Sequence, residues 1–149
     1  MQGHEQDVPP LGRMIGRIAR RWRQMIDARL QPYGVTDATW LPLLELDKAV
    51  EPMHQKDIAA SLGVDNSAVV RVLNTLEQRG LVQRVPDNRD RRARAVSLTA
   101  EGRQRVSEIY RLSAQMEEEL LAGVTAEELR VTRKVLGVIM HRIDQKAGG

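Results

Sequence analysis

The chain has 149 residues, 29% of them charged and 42% hydrophobic, with a formal net charge of +3; that is enough for one domain with a core, or a compact lobe and an extended arm, but not for two large domains. Its longest apolar run, residues 135–140 with Gly137 inside it, is too short to cross a bilayer, and the six arginines within residues 13–30 do not suit a signal peptide, so a cytoplasmic protein is expected with no membrane partner. The absence of cysteine excludes disulfides, zinc–thiolate sites and thiol-based oxidant sensing, and His4, His54 and His141 stand singly without metal-ligand spacing, so neither a metal nor a cofactor is expected.

Residues 11–31 space Met14, Ile15, Ile18, Trp22, Met25, Ile26 and Leu30 three and four apart, which predicts an amphipathic helix that Pro32 and Gly34 end. Thr36 is placed to cap a second helix, whose Trp40, Leu41, Leu43, Leu44 and Leu46 are dense enough for burial on more than one side; Pro42 falls in its first two turns, where a lost donor does less harm. Residues 53–62, MHQKDIAASL, predict a short helix stopped by Gly63, and Asp65 caps another that runs to about Arg79 before Gly80. The alternating runs 81–85 and 95–98 predict a two-stranded hairpin around a loop longer than a tight turn needs.

The last third is predicted helical. Residues 100–123 carry Val106, Ile109, Ser113, Met116 and Leu120 along one seam. Thr125 and Glu128 form a capping box for a final helix bearing Leu129, Thr132, Leu136, Ile139 and Ile143. Such a seam packs on a neighbouring helix of the same fold or on a partner chain. The first and last helices flank the central block, and both are free to build a second layer.

Within the central block, QKDIAASLGVDNSAVVRVLN (55–74) fits a helix-turn-helix over its whole length. Ile58, Leu62, Val69 and Val72 are the inward positions, Ala59 is small where the helices cross, Gly63 makes the turn and Val64 plugs the corner. Turning Val69, Val72, Leu73 and Leu76 toward the core leaves Ser67, Arg71, Asn74 and Gln78 on the opposite stripe. Arginine pairs with guanine, asparagine with adenine, and serine with either base or with phosphate, so Ser67, Ala68, Arg71 and Asn74 are the candidate contacts of a recognition helix. The alternative is a solvated face with no partner.

Charge decides between these. Residues 84–106 hold seven arginines against three carboxylates, whereas residues 107–149 hold six basic groups against seven acidic ones. A basic patch on a balanced chain is an address for phosphate. Arg89, Asp90, Arg91, Arg92 and Arg94 sit in the hairpin loop, which makes the block a winged helix whose wing lies beside a minor groove. Asp87 and Asp90 are expected to hold arginine side chains in place, since a carboxylate is repelled by phosphate.

The expected fold is therefore mainly α with a small β-hairpin: a winged helix-turn-helix DNA-binding lobe plus a helical layer. No glycine-rich phosphate loop, paired-carboxylate motif or nucleophile constellation is present, so no catalytic residue and no enzyme is expected. A winged helix that binds a protein would more naturally carry an apolar contact patch than an arginine wing.

These residues carry a resemblance to the MarR family of transcriptional regulators, within it to the SlyA-like branch. DRRARAVSLTAEG (90–102) is similar to the family's Asp-x-Arg wing leading into Leu-Thr and the next helix, NSAVVRVLNTLEQRGLVQR (66–84) to its recognition helix and first wing strand, and RRWRQMIDARLQPYGVTDATW (20–40) to the first two helices of the branch. The resemblance implies a homodimer in which residues 11–34 and 100–149 form the helical dimerisation region. It further implies that residues 35–99 form the winged helix-turn-helix on one half of a pseudo-palindromic operator in double-stranded DNA, with residues 1–10 a flexible arm. Arg71 and Arg92 match the family's recognition-helix and wing arginines, Asp90 and Arg91 its wing motif, and Ser67 a major-groove position. It also implies release by a small aromatic carboxylate or phenol, for which Arg17, Arg20 and Trp40 occupy the matching region. A counter-silencer that binds DNA without a ligand remains an alternative, and so does a repressor or an activator role.

Overall fold

The computed structural model describes residues 8–34, 36–87 and 94–148. By contact density it divides into two compact units, Met1–Ala114 and Gln115–Gly149.

In the first unit, α1 (Leu11–Leu30) buries Ile26 and Leu30 at its C-terminal end. A 3₁₀ turn, Gln31–Tyr33, carries Pro32 and ends on Gly34 at φ 71, a left-handed conformation that glycine adopts without strain. The next helix, α2 (Asp37–Lys48), is capped as its sequence predicts: the Thr36 N–H donates to Thr39 Oγ1 at 2.8 Å. A tight turn at Gly63, φ 66, joins α3 (Gln55–Leu62) to α4 (Asn66–Gln78). The strands β1 (Val82–Pro86) and β2 (Arg94–Leu98) pair antiparallel from Val82↔Leu98 to Pro86↔Arg94. Then α5 (Ala100–Leu120) begins beneath the hairpin, where Thr99 Oγ1 accepts from the Gly102 N–H at 3.0 Å.

Leu30, Leu43, Ile58, Leu73, Leu76, Val96 and Ile109 are fully buried, so every one of these helices and β2 contributes to the core. Gly102 is where α5 crosses the end of the turn after α4. A Cβ there would stand 2.0 Å from the Leu81 carbonyl oxygen, so only glycine fits.

Two elements differ from the sequence-based expectation. The helix predicted from residue 53 starts at Gln55, because Met53 leaves the helical path and bridges β2: its N–H donates to Val96 O at 3.0 Å and its carbonyl accepts from Val96 N at 2.8 Å. A free edge of the hairpin satisfies that backbone better than a first helical turn, whose N–H groups have no internal partner. Val64 does not plug the helix-turn-helix corner. It is 46% exposed, and Leu62 and Val72 are only half-buried, because the corner opens onto a surface hollow.

The second unit contains the end of α5 and α6 (Ala126–Ala147). The capping box predicted at its start is formed: Thr125 N donates to Glu128 Oε2 at 2.8 Å and Glu128 N to Thr125 Oγ1 at 3.1 Å. Arg133 Nη2 meets Glu117 Oε1 at 3.1 Å across the turn between the two helices.

Candidate nucleic-acid interface

The site is built on α4. Its cap, Asp65, accepts from the Ala68 N–H at 2.8 Å and from the Ser67 hydroxyl at 2.6 Å. The Ser67 hydrogen bond and then the Ala68 N–H hold the Asp65 carboxyl below the ordinary carboxylate range. An ionised cap also complements the positive end of the helix dipole.

Downstream of the cap, Val69, Leu73 and Leu76 are buried while Ser67, Arg71, Asn74 and Gln78 are exposed, so the stripe predicted to face outward does so. Ala68 departs from it, being half-buried on the wall of the hollow. Asn74 does not offer a free carboxamide: its Oδ1 accepts from Arg84 Nη2 at 2.8 Å, and Arg84 Nε donates to Glu77 Oε2 at 3.0 Å. Arg84, on β1, thus joins the hairpin to the recognition helix. In the sequence Arg84 stands out only as one of the basic residues of 84–106, since a partner ten residues away leaves no local pattern.

Arg89, Asp90, Arg91 and Arg92 lie outside the described residues. Arg94 is exposed as the first residue of β2, opposite Pro86. At the root of the wing, Asp87 Oδ2 meets His54 Nε2 at 2.5 Å, which ties the end of β1 to the N-cap of α3.

The three residues expected to hold a small anion differ in exposure. Arg17 and Arg20 are exposed on α1. Trp40 is 6% exposed, with its indole Nε1 donating to Asp27 Oδ1 at 2.8 Å. Arg20 precedes Asp27 by seven residues, about 10 Å along the helix axis. The hollow, of about 280 Å³, is lined by Arg23 of α1, Leu41 and Pro42 of α2, and Val64, Ala68 and Val72 around the helix-turn-helix corner. It combines apolar side chains with one arginine.

Residues 33–93 match the model of the MarR family. The crystal structure of the transcriptional regulator PA3341 is similar over 91% of this chain and 99% of its own, at 30% identity and a TM-score of 0.80. The chain belongs to the MarR family. Wild-type MarR from E. coli in its apo form is 27% identical over 89% of this chain and 98% of that one, TM-score 0.79. The structure of the Multiple Antibiotic Resistance Repressor, MarR, is 26% identical over 89% and 96%, TM-score 0.79.

MarR-family proteins are winged-helix DNA-binding transcription regulators, typically homodimeric repressors, and not enzymes. In this MarR-family chain the described residues are mostly helical with one two-stranded antiparallel hairpin, as predicted. Among the described residues no helix is long and apolar enough to cross a membrane, and no group of three or more His, Asp and Glu is placed to hold a metal ion.

Proposed function

We propose that this MarR-family protein binds a pseudo-palindromic operator in double-stranded DNA as a homodimer and regulates transcription from it. The observation that carries this reading is the polar stripe of Ser67, Arg71, Asn74 and Gln78, exposed along one side of a helix whose other side is buried. In it α4 enters the major groove. Arg91 and Arg92 reach the adjacent minor groove, Arg89 and Arg94 meet phosphate, and Asp90 positions an arginine. Exposed apolar residues support the dimer: Met14 and Ile18 on α1, and Leu136, Met140 and Ile143 on α6, are each at least 41% exposed in one chain. Residues 11–34 and 100–149 are the proposed dimerisation region, residues 35–99 the DNA-binding one, and residues 1–10 an arm. The likeness of residues 20–40 to the first two helices of the SlyA-like branch supports a place in that branch.

The proposed effector is a small aromatic carboxylate or phenol. Family resemblance points to Arg17, Arg20 and Trp40. The hollow beneath Arg23 is a second location, of a size for one small ring.

Fluorescence anisotropy on a duplex from the gene's own upstream region, at two salt concentrations with and without salicylate, tests both parts. Tight, salt-sensitive binding that salicylate weakens is the expected result. Tight binding indifferent to salicylate keeps the regulator and removes that effector. Binding no stronger than to random duplex, at either salt, removes the operator from that region.

A further inference from the structure

Two hydrogen bonds on the exposed side of α4 fix which polar atoms are left to face outward. Asn74 Oδ1 accepts from Arg84 Nη2 at 2.8 Å. A guanidinium group has donors only, so turning the carboxamide over would set its NH₂ against another donor; the oxygen stays on Arg84 and the NH₂ stays outside. Arg84 is held in turn by Glu77, and its side chain is 20% exposed, so the pair is partly shielded from water. Seven residues earlier the Ser67 hydroxyl donates to Asp65 Oδ1 at 2.6 Å. A carboxylate only accepts, so the single hydroxyl proton is committed and lone pairs remain. The depressed titration of Asp65 keeps that acceptor ionised at neutral pH.

We propose that the recognition helix reads each half-site with a fixed hydrogen-bond polarity, Ser67 as acceptor and Asn74 as donor, and that Arg84 is the positioning residue that sets the polarity of Asn74. This rests on the DNA-binding reading above. Asparagine ordinarily recognises adenine by donating to N7 while accepting from the N6 amino group. With its NH₂ turned outward and one of its oxygen's two lone pairs taken by Arg84, Asn74 loses the bidentate adenine contact. It donates instead to an acceptor edge: guanine, with O6 and N7 side by side, or O4 of thymine, in preference to adenine, whose N7 stands beside the N6 amino donor. The Ser67 oxygen meets an amino donor, N4 of cytosine or N6 of adenine. Seven residues of helix separate the two by about 10 Å, the span of about three base-pair steps. Arg71 lies between them with donors alone, suited to guanine.

The test is selection of binding sites by the full-length protein from a duplex pool with a randomised central segment. The wild type, Asn74→Ala, Asn74→Asp, Arg84→Met and Ser67→Ala are compared. Guanine or thymine is expected at one position of each half-site, and Asn74→Ala lowers that preference roughly ten-fold. Arg84→Met frees the oxygen and moves the same position toward adenine. Asn74→Asp, at an exposed position that leaves the core untouched, replaces the outward donor by an acceptor and selects against guanine and thymine there. Ser67→Ala relaxes a cytosine or adenine preference about three steps away. A merely structural role for Arg84 would weaken every sequence alike without changing the base selected.

Adenine at the Asn74-dependent position in the wild type would overturn the assignment. So would a base profile of Arg84→Met identical to that of the wild type. A wild-type protein that enriches no sequence and binds no duplex removes the DNA reading itself, a result distinct from enriched sites whose base identity ignores Arg84.

Discussion

Trp40 and Asp27 join the first two helices: the indole Nε1 of one donates to the carboxylate of the other at 2.8 Å, with the tryptophan almost wholly buried. An indole has a donor and no acceptor, so its burial requires a partner of this kind. The bond fastens the winged-helix block to α1, and it places the aromatic ring of Trp40 in the core. Asp27→Ala leaves a buried N–H without a partner and is expected to lower stability by about 1–3 kcal/mol in urea denaturation. Asp27→Asn keeps an acceptor oxygen and loses less. Equal losses in the two variants would assign the effect to charge instead of the hydrogen bond.

Gly102→Ala is expected to be severe. The added Cβ would lie 2.0 Å from Leu81 O and 3.0 Å from Leu81 C, both backbone atoms, so α5 must move away from the hairpin. Overpacking of this kind costs on the order of 3 kcal/mol, which lowers the thermal midpoint of a chain this size by about 10 °C. An unchanged midpoint would show that α5 does not approach Leu81 this closely.

Stability is expected to be lost at both ends of the pH range, for opposite reasons. Asp65 and Glu128 titrate below their ordinary values of 3.8 and 4.5, Asp65 first through the Ser67 hydroxyl and Glu128 first through the Thr125 N–H. A depressed folded-state pKa gives stability that is present above the unfolded value and lost as pH falls through the folded one. The acid limb therefore begins below about pH 4.5, and Glu128→Gln makes it shallower. Tyr110 is shifted the other way, raised above 10.0 first by burial and then by the nearby Asp47 carboxylate. Its contribution is complete below its unfolded value and lost as pH rises through the folded one, so Tyr110→Phe flattens the alkaline limb. Denaturant midpoints across pH measure both; an acid limb that Glu128→Gln leaves unchanged would remove the capping box as its cause.

Arg71 and Arg94 are expected to fail differently. Arg71→Ala costs about 1–3 kcal/mol on the preferred sequence and relaxes base choice, and Arg92→Ala behaves alike if that arginine is seated in the groove. Arg94→Ala weakens all sequences about equally and reduces the salt slope by about 1, the mark of one lost phosphate contact. Anisotropy titrations over a salt series separate the two, and an unchanged slope for Arg94→Ala would remove that residue from the interface.

The sequence by itself determined what depends on neighbours within a turn or two. The apolar spacing of α1, the threonine caps of α2 and α6, the Asp65 cap, the outward stripe of α4 and the alternating runs of the hairpin are all local, and each is formed where it was expected. Partners far apart in sequence were decided only by tertiary packing. Met53 pairs with Val96 because β2 offers an edge, Trp40 is buried against Asp27 because α1 supplies the acceptor, and Asn74 turns its oxygen inward because β1 brings Arg84 beside it. Residue type says which hydrogen bonds a side chain is able to make, and three-dimensional contact decides which of them are already occupied before a ligand arrives.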